Sequence, residues 1–316
     1  MVIFQKGNVF MSSFAIMTDT NSDLPQEYID EHGIMVIPIP FHLNGVQHSD
    51  GRWQDISDKE FYAALSAGSA SGTAQINPEA YSQVFSQFAS RGESLLIVLL
   101  SSGLSPSYHN AVVALDEVKE QHPDCDIHIV DSLNAAGGAA LITMLAVKKR
   151  AESLSAGEAA AWLDENKHSC LSLFTVNDLM YLHRGGRLSK LQAVAGSIIG
   201  IKPLLNVAPD GTLKLKDKAR GRNAALRTLA TQFMRSLNPG ASLDTVIISH
   251  SDCLEDAETL VKEIKALVNI RDIYIVMMGP VIGTHVGPGC IALFFQADMK
   301  RSEYEAKYYG KKTAGN

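Results

Sequence analysis

Leu95-Leu96-Ile97-Val98-Leu99-Leu100 runs directly into Ser101-Ser102-Gly103-Leu104-Ser105-Pro106, and a helical run from Ser107 to Glu120 follows. A short, wholly apolar run suits a strand covered on both faces, as in a parallel sheet. The serines after it mark a turn into a helix. Ser105 followed by Pro106 supplies a side-chain acceptor and a preset φ at the helix start. The same order of strand, polar loop and helix recurs on either side. Phe14-Ala15-Ile16-Met17 leads into Thr18-Asp19-Thr20-Asn21-Ser22-Asp23-Leu24-Pro25, and Ile34 to Ile39 reads as a second strand closed by Pro38 and Pro40. Ile127 to Val130 leads into Asp131-Ser132 and an alanine-rich helix that ends near Ala151. This alternation predicts an α/β fold with a parallel sheet flanked by helices. Ligands of such sheets bind at the carboxyl ends of the strands, which here carry Asp19-Thr20, Ser101-Ser102 and Asp131-Ser132.

The second half changes character. Helices are expected over Ser155–Asn166, Arg222–Leu237 and Glu255–Leu267, with strands over Leu171–Val176, Thr245–Ser249, Asp272–Met277 and Cys290–Phe295. Asp210-Gly211 marks a hairpin turn between Leu204–Val207 and Thr212–Lys216. These elements predict a second α/β domain with a mixed or antiparallel sheet. The expected division is an extension over 1–13, a parallel-sheet domain over 14–154 and the second domain over 155–316.

The 316 residues are 46% hydrophobic and 20% charged, with a net charge of -6 and no block of like charges. That composition builds a real core and lacks the basic face of a nucleic-acid binder. Cys125, Cys170, Cys253 and Cys290 lie far apart and form no Cys-x-x-Cys pair, so reduced buried thiols are expected rather than zinc or disulfides. No run approaches the ~18 apolar residues of a membrane span, and Met1-Val2-Ile3-Phe4 is too short for a signal-peptide core. A cytoplasmic protein is expected.

The chain has no phosphate loop, no Gly-x-Ser-x-Gly, no His-Glu-x-x-His and no Gly-x-Gly-x-x-Gly, and its ten histidines lack metal-ligand spacing. Nucleotide, hydrolase and zinc chemistries therefore lose support, and neither a metal nor a cofactor is expected. Other strings remain. Gly283-Thr284-His285-Val286-Gly287-Pro288-Gly289 reads as a tight loop where backbone approaches a ligand closely and His285 either binds an anion or stabilises the loop. Ser101 and Ser102 precede a helix start, where free N–H groups favour negative charge. With Ser105 occupied as the cap, Ser102 is the better ligand candidate, although plain capping explains both. Thr73-Ala74-Gln75 follows a Gly/Ser/Ala-rich stretch and by itself reads as a turn. Arg187, Lys218, Arg220 and Arg222 suit phosphate, or are solvated surface charges.

Together these strings resemble the DegV family of bacterial fatty-acid-binding proteins over nearly the whole chain from about residue 14. The matching stretches are Thr18 to Pro25, Ser101-Ser102-Gly103-Leu104-Ser105, Gly185-Gly186-Arg187-Leu188-Ser189, Ile201-Lys202-Pro203 and Gly283 to Gly289. The resemblance implies two α/β domains with one long-chain fatty acid between them, its carboxylate held by a threonine, a serine and a histidine. By motif match these are Thr73, Ser102 or Ser105, and His285. It also implies a non-catalytic carrier that presents the acid to a separate, ATP-using kinase for acyl phosphate formation in phospholipid synthesis. Arg187 and Arg220 are the candidates for the basic groups facing that partner. Thr73-Ala74-Gln75-Ile76 stands where the family usually reads Thr-Ser-Gln-Pro, and Ser105-Pro106-Ser107-Tyr108 where it reads Ser-Gly-Thr-Tyr.

Such a ligand asks for two unlike environments. About 14 buried methylenes at ~0.8 kcal/mol each give ~11 kcal/mol as an upper figure, before ordering and association costs. The head loses hydration and needs charge-assisted hydrogen bonds in return. Hydroxyls and an imidazole supply these and leave a carboxylate oxygen reachable. Leu191 to Ile201 is either tail lining or an ordinary core helix. The alternatives to a carrier are an enzyme acting alone on a small carboxylate or phosphate, drawing on Asp19 and Asp131, and a lipid-sensing regulatory protein.

Overall fold

The computed structural model describes residues 14–49, 56–192 and 200–310. The expected extension, 1–13, and most of the apolar segment Leu191–Ile201 lie outside the described residues.

The first half contains β1 (Ala15–Asp19), α1 (Gln26–His32), β2 (Met35–Ile37), β3 (Pro40–Leu43), β4 (Val46–Ser49), α2 (Asp58–Ser66), β5 (Ser71–Thr73), α3 (Pro78–Arg91), β6 (Leu95–Leu99), α4 (Ser107–Gln121), β7 (Ile127–Asp131) and α5 (Gly137–Ala151). β2, β1, β6 and β7 form a four-stranded sheet in that order, all parallel. β6 is buried at every position, as its unbroken apolar run requires. The chain leaves β1 in one direction for β2 and later returns on its other side as β6, so the strand order reverses between β1 and β6. This is the switch point at which open α/β sheets bind ligands. Asp19 ends β1 there, and its Oδ2 accepts a hydrogen bond from the backbone N–H of Leu100 at 3.3 Å.

The second half adds α6 (Ala156–Asn166), β8 (Cys170–Thr175), α7 (Met180–Arg184), β9 (Ile201–Val207), β10 (Leu213–Arg220), α8 (Arg222–Arg235), β11 (Ser242–His250), α9 (Leu254–Lys265), β12 (Asn269–Met277), α10 (Pro280–Val286), β13 (Ile291–Gln296) and α11 (Arg301–Tyr309). Its six-stranded sheet runs β10-β9-β8-β13-β11-β12 and is mixed, with β11 and β12 parallel and the other pairs antiparallel.

α5 explains how the halves join. It is apolar on every side, with Leu141, Ile142 and Ala146 all buried, because it lies between the two sheets. One core cluster accordingly runs from Ile16, Leu96 and Val98 of the parallel sheet through α5 to Phe174, Ile247 and Phe294 of the mixed sheet. α6 also packs on this side, against β7 and α5. A second cluster fills the outer face of the mixed sheet under α8, α9 and α11, and a third lies under α3 and α4. A register shift between Leu215 and Asp217 lets β10 serve two faces: Leu213 and Leu215 pack into the core between the sheets, and Ala219 into the outer one.

Two features depart from the sequence-based reading. Pro40 opens β3 instead of closing a strand, and β4, β3 and β5 form a small antiparallel sheet that places Thr73 opposite Phe41. Residues 283–286, read above as part of a tight loop, belong to helix α10, Pro280–Val286. Pro280 is tolerated in its first turn because an N–H there has no helical partner. Gly283 lies inside α10 for packing, since a Cβ at that position would sit 2.6 Å from the Tyr62 hydroxyl oxygen.

Candidate functional site

A cavity opens between the rim of the parallel sheet and the inner face of the mixed sheet, with about 780 Å³ of atom-free space when the open solvent at its mouth is included. Ile39, Leu100, Leu104, Ala135 and Ala136 wall one side; Phe174, Val207, Leu213, Ala292 and Phe294 wall the other, and α10 crosses with Val281, Ile282 and Val286. Among the described residues, only Thr73, Ser105, Arg187 and His285 bring side-chain nitrogen or oxygen to the lining.

These four polar groups are contiguous. Oγ1 of Thr73 and Nε2 of His285 share a hydrogen bond at 2.9 Å. Nδ1 of the imidazole points at Gly185 so closely that a Cβ there would overlap it. The carbonyl of Gly185 accepts from Nη1 of Arg187, whose Nε donates to the carbonyl of Leu104 at 3.0 Å. Ser105 follows. Its Oγ accepts from the N–H of Ser107 at 3.2 Å and shares a hydrogen bond with the Ser107 hydroxyl at 3.0 Å. That hydroxyl accepts from the N–H of Ile76 at 3.4 Å, three residues beyond Thr73, which closes the circle.

Each element is held by named contacts. Thr73 is fixed at the end of β5 by its pairing with Phe41 and by the next residue, Ala74, which donates its N–H to the carbonyl of Pro40 at 2.9 Å. α10 is held at its start by the Asp23 carboxylate, which accepts from the N–H of Gly279 at 2.8 Å, and by Tyr62, which donates to the carbonyl of Met278 at 2.8 Å. Past α10 the chain reverses through Gly287, whose φ of 68° favours glycine and whose Cα packs on the Tyr181 ring. The first motif of the sequence thus positions the last one.

The electrostatics suit an anion. Burial, and secondarily the Arg187 charge, push the His285 imidazole down to about 4, so the ring is neutral at neutral pH. Its Nδ1 is buried without a hydrogen-bond partner among the described residues. Burial also lowers Arg187, whose hydrogen bonds go to carbonyls and which has no ion-pair partner among the described residues. A carboxylate placed here would meet hydroxyl donors and a half-buried cation, and it would restore neutrality.

The expected site residues divide. Thr73, Ser105, Arg187 and His285 come together at one end of the cavity. Ser102 does not line it; its N–H is turned to Oδ1 of Asp131 at 3.1 Å. Ser101 is likewise committed, donating to the carbonyl of Gly211 at 2.9 Å. Ser105 faces the cavity while its Oγ accepts from the N–H of Ser107, the first residue of α4; the N-cap position itself falls to Pro106 and not, as expected, to Ser105. Arg220 is exposed at the end of β10 and lies outside the lining. Sequence reasoning missed the apolar walls from β8 and β13, which are buried on both faces along almost their whole length, so that the cavity face carries no mark of its own. It also missed Asp23 as the anchor of α10.

The comparisons agree with this architecture. Residues 13–298 match the model of a family described as uncharacterised protein, DegV family. A DegV domain-containing protein of Clostridium perfringens is 36% identical over 291 residues, covering 92% of this chain and 99% of that one. A DegV lipid binding protein from Thermotoga maritima shares the fold with a TM-score of 0.79 at 27% identity, covering 91% of this chain and 99% of its own. A hypothetical protein from the same organism, whose structure is described as revealing fatty acid binding function, superposes with a TM-score of 0.78 at 26% identity, covering 90% and 99%. On the family match over residues 13–298 and the relative at 36% identity, this chain belongs to the DegV family.

Proposed function

We propose that the chain is a carrier that binds one long-chain fatty acid between a parallel-sheet domain, 14–154, and a mixed-sheet domain, 155–316. The observation that carries this reading is the single polar end of an otherwise apolar cavity. Thr73 and Ser105 donate to the carboxylate, His285 completes the cluster, and the tail lies along Phe174, Phe294 and Val207. Arg187 balances the head-group charge, and Arg220 on the outer surface faces a separate kinase. That partner uses ATP to convert the presented acid to an acyl phosphate, so catalysis and its nucleotide belong to the partner. Neither Asp19 nor Asp131, on which an enzyme acting alone would draw, lines the cavity.

The serine assignment is testable. Loss of one hydrogen bond to a charged group costs ~1.5 kcal/mol, or about tenfold in affinity. Thr73→Val and Ser105→Ala should each weaken palmitate binding by that factor in a fluorescent-displacement titration. Ser102→Ala should leave it unchanged. Loss of binding with Ser102→Ala but not with Ser105→Ala would move the head group to the other serine.

A further inference from the structure

Arg301, the first residue of α11, is 1% exposed, and every hydrogen bond it makes among the described residues goes to a backbone carbonyl. Its Nε donates to Cys170 at 3.0 Å and its Nη2 to Lys167 at 3.3 Å. Nη1 does something different. It bridges Leu133 at 2.6 Å, in the loop after β7, and Ala208 at 3.3 Å, at the entrance to the β9–β10 turn. A buried guanidinium held this way is costly to desolvate and rigid once placed.

Both carbonyls belong to segments that line the cavity. Ala135 and Ala136 line it just beyond Leu133, and Val207 and Leu213 line it on either side of the hairpin turn. The loop is also strained: Leu133 and Ala136 have φ of 47° and 52°, a left-handed conformation that residues with side chains keep only where their surroundings impose it. The same two segments meet a second time at Ser101, whose N–H donates to the carbonyl of Asn134 at 2.9 Å and whose hydroxyl donates to Gly211.

We infer that Arg301 is a positioning residue that holds the parallel-sheet wall and the hairpin wall of the cavity together, and so governs how fast a bound acyl chain leaves. The inference rests on the carrier reading. Lysine keeps the charge but is a compact ammonium that cannot span the fork.

The test is the release of radiolabelled palmitate from the full-length chain into phosphatidylcholine vesicles. Arg301→Lys should speed release at least tenfold. Phe233→Leu should leave release at the wild-type rate despite lower thermal stability, because Phe233 packs on Phe295 in the outer core at a ring distance of 4.6 Å. Release at the wild-type rate from Arg301→Lys, or equal acceleration in both variants, overturns the inference. A wild-type chain that takes up no palmitate overturns the carrier reading and the inference with it. Should Arg301→Lys fail to fold, hydrogen exchange in the wild type decides: loading with palmitate should slow amides 132–136 and 210–212 together, and slowing of only one segment, or of neither, overturns the clamp.

Discussion

Gly185→Ala should strip the protein of bound fatty acid without unfolding it. Gly185 has φ of -71°, so alanine fits the backbone. The space does not. The new Cβ would overlap Nδ1 of His285 and come within 3.0 Å of Cε1, and the ring must swing away. That breaks the 2.9 Å hydrogen bond to Thr73 and opens the polar end of the cavity. Loss of one or two charge-assisted hydrogen bonds amounts to ~1.5–3 kcal/mol, or about 10- to 100-fold in affinity. Far-ultraviolet circular dichroism should stay native while palmitate affinity drops by that factor. Wild-type affinity in Gly185→Ala would mean that the imbalance of space is absorbed elsewhere and His285 does not order the site.

The second large effect is on stability against pH, in protein freed of lipid. His285 titrates near 4 in the fold against an ordinary 6.5, so its contribution is complete above 6.5 and is lost as pH falls towards 4. Asp19 behaves in the opposite sense. Burial pushes its carboxyl up from 3.8 to about 6 against the pull of its hydrogen bonds from Asn21 and Leu100. Its contribution is therefore complete below 3.8 and is lost as pH rises through 6. Each gap corresponds to ~3 kcal/mol, so the two offset one another across the same window. Differences from wild type separate them, because the remaining carboxylates cancel. Between pH 7 and pH 4, His285→Gln should gain ~3 kcal/mol on wild type in urea unfolding, and Asp19→Asn should lose a similar amount. Unfolding midpoints that run parallel to wild type at all pH values would show that neither group titrates abnormally.

Much of this was legible in the residues. An unbroken apolar run such as β6 has one comfortable home, and the three hydroxyl-bearing strand ends do share one rim because β1, β6 and β7 are neighbours. The hairpin around Asp210-Gly211 was equally plain. What escaped depends on distant partners. β5 is three residues long and exists only because Phe41 pairs with Thr73, so its local sequence looks like a turn. Glycines at 283, 287 and 289 suggest a loop throughout, yet Gly283 is a helix residue that makes room for Tyr62, while Gly287 and Gly289 occupy positive φ. Ser102 and Ser105 differ in which way the turn faces them, and that is set by Asp131 and Ser107 rather than by either serine. Arg301 gives no signal in sequence, because its partners are carbonyls.

The most direct measurement is on the untreated protein. Chain expressed in bacteria, purified without detergent, denatured and extracted into organic solvent, should release free long-chain fatty acid in stoichiometric amount by mass spectrometry. Extracts containing no fatty acid, or only neutral lipid without a carboxylate, would contradict a cavity built around one polar end.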